Sequence, residues 1–279
     1  MQCPVYSNDG VERAQAVLDD ATFRTGIPGS LRTAAWATLH SAAEDDAARQ
    51  AALDHLFHTG WPAVYVLYRV GNQVPTDQAR DLTLSLFLFL ASQGRPPDDA
   101  KGVRYRSFLK AAATNFWLDH RRRRGSEGRA FRPSWVAEVD DRLPEVERDL
   151  EDEDDPIPEE VFEGRFARSV LSNAMGAFEV DCRATGTERW AEMIRLRFFE
   201  RPPLGLDPLG ARLDLRMDLL TRELYKAKQA FRRHLIGAIK ETLPLDQLDD
   251  PPSVEQEVEA LVEALGTDRS WLSAPRPPE

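Results

Sequence analysis

The chain has 279 residues, 42% hydrophobic and 30% charged, the balance of an ordinary folded protein and long enough for two domains. A net charge of −11 excludes a surface evenly coated for polyanions. Its two cysteines, Cys3 and Cys182, lie far apart, which excludes a disulfide framework and a thiolate metal site and suits a reducing cytoplasm. The longest apolar run, 82–91, is too short to span a bilayer, and the first residues lack a basic-then-apolar targeting pattern.

Charge is unevenly spread. Residues 101–132 and 212–240 are basic, while 138–163 is strongly acidic. In chain order, 11–18 suits a short helix, and Ile27-Pro28-Gly29-Ser30 is a turn with Ser30 capping a helix over 31–43. A second helix over 45–58 turns Ala48, Ala51, Ala52, Leu56 and Phe57 inward. Trp61-Pro62 then opens a third, ending near Gly71. Thr76 is the expected N-cap of the next, with Asp77 in its first turn. Residues 82–90 alternate like a strand, but the cap, the flanks and the lack of a partner strand predict a helix, apolar almost all round and buried on two sides.

The run 105–124 is the most telling. Tyr105, Leu109, Ala113 and Trp117 share one helix face, with Phe108, Ala112 and Phe116 beside them. It ends in Arg121, Arg122, Arg123 and Arg124, followed by the stop signal Gly125. The helix dipole accounts for part of that basic end. Rings leading into an arginine cluster also suit single-stranded nucleic acid, with rings for bases and cations for phosphates. A core helix with a solvated basic end is the alternative.

Residues 135–164 read as an acidic, mobile linker, or as a charged mimic covering the basic surfaces. Helical periodicity returns over 165–178 and 188–200, and Pro202-Pro203 breaks it. A short helix from Asp207 or Pro208 leads to a longer one over 216–241, with a stripe of Leu219, Leu220, Leu224, Ala227, Phe231 and Leu235. A short helix, a tight joint and a longer basic helix form a helix-turn-helix pattern, with an ordinary α-hairpin as the alternative. An amphipathic helix over 254–265 precedes a Pro-rich end. The expected fold is all-α: two helical domains, 31–134 and 165–241, joined by the acidic linker 135–164 and flanked by extensions 1–30 and 242–279.

Motifs for chemistry are missing. There is no GxGxxG, P-loop, HExxH or GxSxG string. His55 and His58 are three apart, with no ligand set to complete a metal site. No enzyme, cofactor or metal is expected.

In order and spacing, these blocks resemble bacterial RNA polymerase sigma factors of the extracytoplasmic-function group, over residues 30–266. Ala79, Asp81, Leu82, Thr83 and Phe87 match the family's Ala-x-Asp-Leu-Thr motif and its following Phe. Leu84 and Ser85 stand where the family carries Gln and an acidic residue, which predicts an unusually apolar clamp-facing surface. The resemblance implies polymerase contacts from Asp77, Asp81, Leu84, Ser85, Phe87 and Leu88. Asn115 and Asp119 match an Asn-x-x-x-Asp pair, implying a pocket for a base of the melted strand, with Phe116 or Trp117 offering a ring and Arg121 to Arg124 holding phosphates. In the second block, Ala211, Leu213, Leu215 and Leu220 fit the helix-turn-helix, although Asp214 replaces the joint's glycine. Tyr225-Lys226-Ala227 is similar to the family's His-Arg-Ala, and Arg216, Thr221, Arg222 and Lys226 are the expected contacts to duplex DNA. The implied partners are core RNA polymerase, promoter DNA both duplex and melted, and an inhibitory anti-sigma protein. A sigma-like interaction protein or DNA-binding regulator without polymerase binding is the rival expectation.

Overall fold

In the computed structural model, which describes residues 34–41, 46–93, 96, 100–122, 135–151, 158–200 and 203–266, every regular element is helical. The expected helix over 11–18, the Ser30 cap, the C-terminal Pro-rich end, Arg123 and Arg124 lie outside these residues. No described helix is long and apolar enough to cross a membrane. The chain divides into two compact units, Met1–Ser169 with Glu241–Ser253, and Val170–Lys240 with Val254–Glu279, each taken over its described residues.

The first unit contains α1 (Ala35–His40), α2 (Asp46–Val66), α3 (Thr76–Ser92), α4 (Tyr105–Arg122), α5 (Trp135–Glu151) and the beginning of α6 (Pro158–Thr185). Where two helices were expected over 45–71, α2 runs straight through Pro62 and continues as a π-helical turn, Leu67–Gly71. Pro62 deletes one amide and crowds the preceding turn. The flanking residues are held by burial: Phe57, Trp61, Tyr65 and Tyr68 are all fully inside. Gly60 is where α4 crosses α2, since a Cβ there would meet Leu109 Cδ2 at 2.5 Å and Tyr105 Oη at 2.8 Å. Two buried tyrosines fix the crossing. Tyr105 Oη donates to the Leu56 carbonyl at 2.9 Å, and Tyr68 Oη donates to the Ala113 carbonyl at 3.1 Å.

The ambiguous 82–90 run is helical, with Leu82, Leu84, Leu86 and Phe87 buried. Its helix starts at Thr76 behind Pro75, and no side chain caps it, so Thr76 is not the N-cap. At α1, the buried carboxylate of Glu241 accepts the Ala35 amide at 2.8 Å, and the Glu241 carbonyl accepts the Trp36 amide at 2.9 Å. An acid from 206 residues away thus stabilises the positive end of a very short helix.

The acidic stretch differs most from expectation. Instead of a bare tether, 135–151 is a helix, α5, docked within the first unit. Val139 and Val146 are buried, Asp140 pairs with Arg80, and Glu147 accepts from Tyr65 Oη and pairs with Arg69 at 3.3 Å. Glu163, early in α6, binds Arg106 at 2.5 Å and Lys110 at 3.4 Å. Acids that look unpartnered in sequence have cations waiting for them on the π-helical turn after α2, on α3 and on α4.

The second unit contains the remainder of α6, α7 (Glu188–Ile194) with a π-helical turn Arg195–Phe199, α8 (Leu206–Leu213), α9 (Met217–Lys240) and most of α10 (Pro251–Ala264). Its core is aromatic: Phe231 meets Phe178 at 5.7 Å and Phe199 at 6.0 Å, both edge-on, the arrangement that ring quadrupoles favour.

Candidate nucleic-acid interface

On α4 the buried stripe is Tyr105, Leu109, Ala113 and Trp117, as the periodicity predicts. Residues two apart on a helix point about 200° apart, so Asn115 and Asp119 face away from Trp117. Both are exposed, as are Arg121 and Arg122, and Arg122 reaches Asp119 at 3.4 Å. Trp117 is only 8% exposed, its ring 6.3 Å from Tyr68. Phe116 is half-buried and lies 5.9 Å from the Phe89 ring. Trp117 therefore offers no open stacking face, and it cannot share one pocket with Asn115 and Asp119. The ring expected from Trp117 is thereby corrected, while Phe116, the other ring expected there, is half-buried.

On α3, Asp77, Asp81 and Ser85 are exposed and Leu88 is half-buried. Leu84 and Phe87, expected at a clamp-facing surface, are each 5% exposed and belong to the unit's own core, with Phe87 edge-on to Phe57 at 5.0 Å. The apolar surface predicted at Leu84 is inside the fold. Stepping by 100° per residue turns 87 away from the outward 81 and 85, while 84 lies on the flank beside 81 and is buried by the helices packed there.

In the second unit, three residues, 214–216, join α8 to α9. Asp214 itself takes the left-handed conformation, φ 52°, that the missing glycine would supply, and short polar side chains tolerate this best. A glycine sits earlier, at 210. A Cβ on Gly210 would lie 3.1 Å from the Leu215 carbonyl oxygen and 3.4 Å from Leu220 Cδ2, so Gly210 permits the tight crossing. Leu215 N–H closes the turn onto the Gly210 carbonyl at 2.9 Å.

The buried stripe of α9 is Leu220, Leu224, Ala227, Ala230, Phe231, Leu235 and Ile239. Leu219, expected in that stripe, is 38% exposed. On the outer side, Arg216, Thr221, Arg222 and Lys226 are all exposed. Arg216 pairs with Asp218 at 3.3 Å, an acid the sequence reading passed over, and Thr221 Oγ1 donates to its own helix at Met217 O, 2.8 Å away. Lys226 binds Glu223 at 2.8 Å, and Trp190 Nε1 donates to the other oxygen of Glu223 at 2.8 Å. The Lys226 and Trp190 hydrogen bonds hold the Glu223 carboxyl below its usual pKa. Burial, with Arg197 adding to it, lowers the Lys228 ammonium.

Comparison with protein-family models, curated proteins and solved structures finds no match. What the arrangement can do therefore rests on its own geometry. Each unit presents a basic helix flank to solvent, with most apolar residues of that helix turned inward and Leu118, Met217 and Leu219 left exposed.

Two further features escaped the sequence. His58 Nε2 lies 3.2 Å from Asp54 Oδ2, one helical turn away, so a carboxylate does stand beside the histidine pair 55 and 58. A cleft also opens beside the end of α4, lined by residues of the 71–75 turn together with Gln78, Trp117 and Arg121. Only a backbone conformation builds it, and no spacing rule announces one.

Proposed function

We propose that the chain is a sigma-like transcription initiation factor of the extracytoplasmic-function type, built from two helical domains. The first engages core RNA polymerase and melted promoter DNA, and α8–α9 of the second forms a helix-turn-helix for duplex DNA. The observation that carries this reading is the α8–α9 joint: two helices three residues apart, crossing tightly at Gly210, with Arg216 exposed in the joint and Thr221, Arg222 and Lys226 exposed on the second helix. The exposed Asn115, Asp119, Arg121 and Arg122 on α4 support a second DNA contact. There, cations hold the phosphates of an opened strand and capture of an unstacked base favours the open form. Asp77, Asp81 and Ser85 on α3 remain available for a protein partner.

Purified chain should co-elute with core RNA polymerase and select a promoter from a randomised template library in a transcription assay. Failure to do either removes the proposal. A second reading, a sigma-like helical regulator without polymerase binding, is favoured by Ser85 standing where the resemblance places an acid. Ser85→Glu restores that acid on an exposed site. Under the second reading it raises polymerase affinity from near nothing, and under the first it changes an existing affinity little.

A further inference from the structure

The open cleft beside α4 has a volume of about 410 Å³. Its lining is chemically selective. Asn72, Gln73 and Gln78 bring three carboxamides, Arg121 brings a guanidinium, Trp117 brings an indole, and no carboxylate is among the lining residues. Asn72 Nδ2 donates to the Leu67 carbonyl at 3.3 Å, which leaves its oxygen as an acceptor. Among the described residues, the side chains of Gln73 and Gln78 make no hydrogen bond and Arg121 makes no ion pair.

The backbone around the cleft is unusual in two independent ways. The π-helical turn Leu67–Gly71 leads into it, and π-turns recur at functional sites. Gln73 then sits at φ 54°, a conformation that non-glycine residues reach only at a cost. The Val74 amide closes the turn onto the Tyr68 carbonyl at 3.1 Å. The result is an open, mostly polar cleft with one cation at the edge.

We infer that this cleft is a nucleotide subsite, with a base edge held among the carboxamides and its phosphate on Arg121. Each carboxamide carries a donor and an acceptor, the pattern that pairs with a base edge, as Asn and Gln pair with adenine. A bare phosphate would use only Arg121, and a neutral sugar would leave the guanidinium idle. The nucleotide has two sources: a free mononucleotide, or one residue of a single strand. The inference stands on the cleft alone and not on polymerase binding.

The full-length chain is titrated separately with AMP, inorganic phosphate and a mixed-sequence single-stranded octanucleotide, by calorimetry and by amide NMR shifts in 71–78. Saturable binding of AMP or of the octanucleotide, with shifts centred on 71–78, is expected. Binding of the octanucleotide alone assigns the subsite to a strand, and binding of AMP as well assigns it to free nucleotide. Gln78→Ala, on a helix flank, and Gln73→Gly, which also relaxes the backbone, should each weaken binding roughly tenfold while the melting curve shows the chain still folded. No binding, phosphate binding as tight as AMP, or full affinity in both variants would overturn the inference. None of these outcomes bears on whether polymerase co-elutes.

Discussion

Asp140 grips Arg80 with both carboxylate oxygens, one to Nε and one to Nη2, the latter at 2.7 Å. Sixty residues separate them, and the bond joins the acidic helix α5 to α3. Hydrogen bonding to Asp140 pushes the Arg80 pKa up from an already high value, so this cation stays charged at any ordinary pH. Fork-to-fork pairs of this kind carry more energy and more directional information than a single contact.

Removing the acids should free α5. In Asp140→Asn combined with Glu147→Gln, the pairs to Arg80 and Arg69 weaken while Val139 and Val146 remain. Because these groups are partly exposed, the expected loss is about 1–2 kcal/mol. Hydrogen exchange should show it as faster exchange over 135–151, by a margin over the wild type that shrinks with added salt. Unchanged protection would mean that the two valines alone hold the helix.

Gly60→Ala tests the α2–α4 crossing. A methyl group would lie 2.5 Å from Leu109 Cδ2, so α4 must move or Leu109 must leave its rotamer. Overpacking of this kind costs about 1–3 kcal/mol. A thermal melt should fall by several degrees, and amide shifts should spread along α4 to Arg121. A neutral melt would show that the crossing is looser than drawn.

The second unit carries a pH signature. Glu223 is held below the ordinary glutamate pKa of about 4.3, first by Lys226 and then by Trp190. A group with a depressed folded pKa stabilises the fold above its unfolded pKa, and that contribution is lost as pH falls through the folded value. Glu223→Gln should therefore lower the melting temperature slightly near neutrality, and the gap should close below about pH 4. A gap constant from pH 7 to pH 3 would contradict the assignment.

Cys182 gives a simple probe of the same unit. It is 1% exposed, and burial raises its thiol pKa, so little thiolate forms and reagents cannot reach it. In a Cys3→Ser variant, thiol labelling should be slow in buffer and immediate in denaturant. Fast labelling in buffer would mean that the α6–α7 region opens readily.

Much of the helical architecture was legible because burial follows period. The stripes of α4 and α9 lie where Tyr105, Leu109, Ala113, Trp117 and Leu220, Leu224, Phe231 predict. The 82–90 run, strand-like by alternation, is helical because both of its sides are covered, a matter of neighbours and not of pattern. What sequence could not show was pairing at a distance. Asp140 and Glu147 looked like solvent charges because Arg80 and Arg69 lie 60 and 78 positions earlier. Leu84 matched a family position by spacing, yet the helix turns it inward, so Leu84→Gln would bury an amide and test stability before any partner. Asp214 and Gly210 show a third limit. The turn needed one left-handed residue and one close approach; Asp214 meets the first at the position where a glycine is expected, and Gly210 meets the second four residues earlier.

The DNA reading makes separable demands on the two basic helices. In that reading Arg121 and Arg122 at the exposed end of α4 would be phosphate contacts, so Arg121→Gln and Arg122→Gln should weaken binding to single strands of any sequence. Each should reduce the slope of log affinity against log salt by about 0.7, the value for one released counterion on a single strand. Arg222 on α9 has a different task. If its guanidinium forks onto a guanine, Arg222→Ala costs about 1–3 kcal/mol on the preferred duplex and little on others. Lys226 is already paired with Glu223 and must leave it to reach DNA, so Glu223→Gln should strengthen non-specific duplex binding while Lys226→Ala weakens it. Measured as salt-dependent fluorescence anisotropy on one duplex and one single strand, the α4 variants should change only the strand and the α9 variants only the duplex. Equal losses on both DNAs from either set would mean that the helices are not divided in this way, and the two-contact model would fail with them.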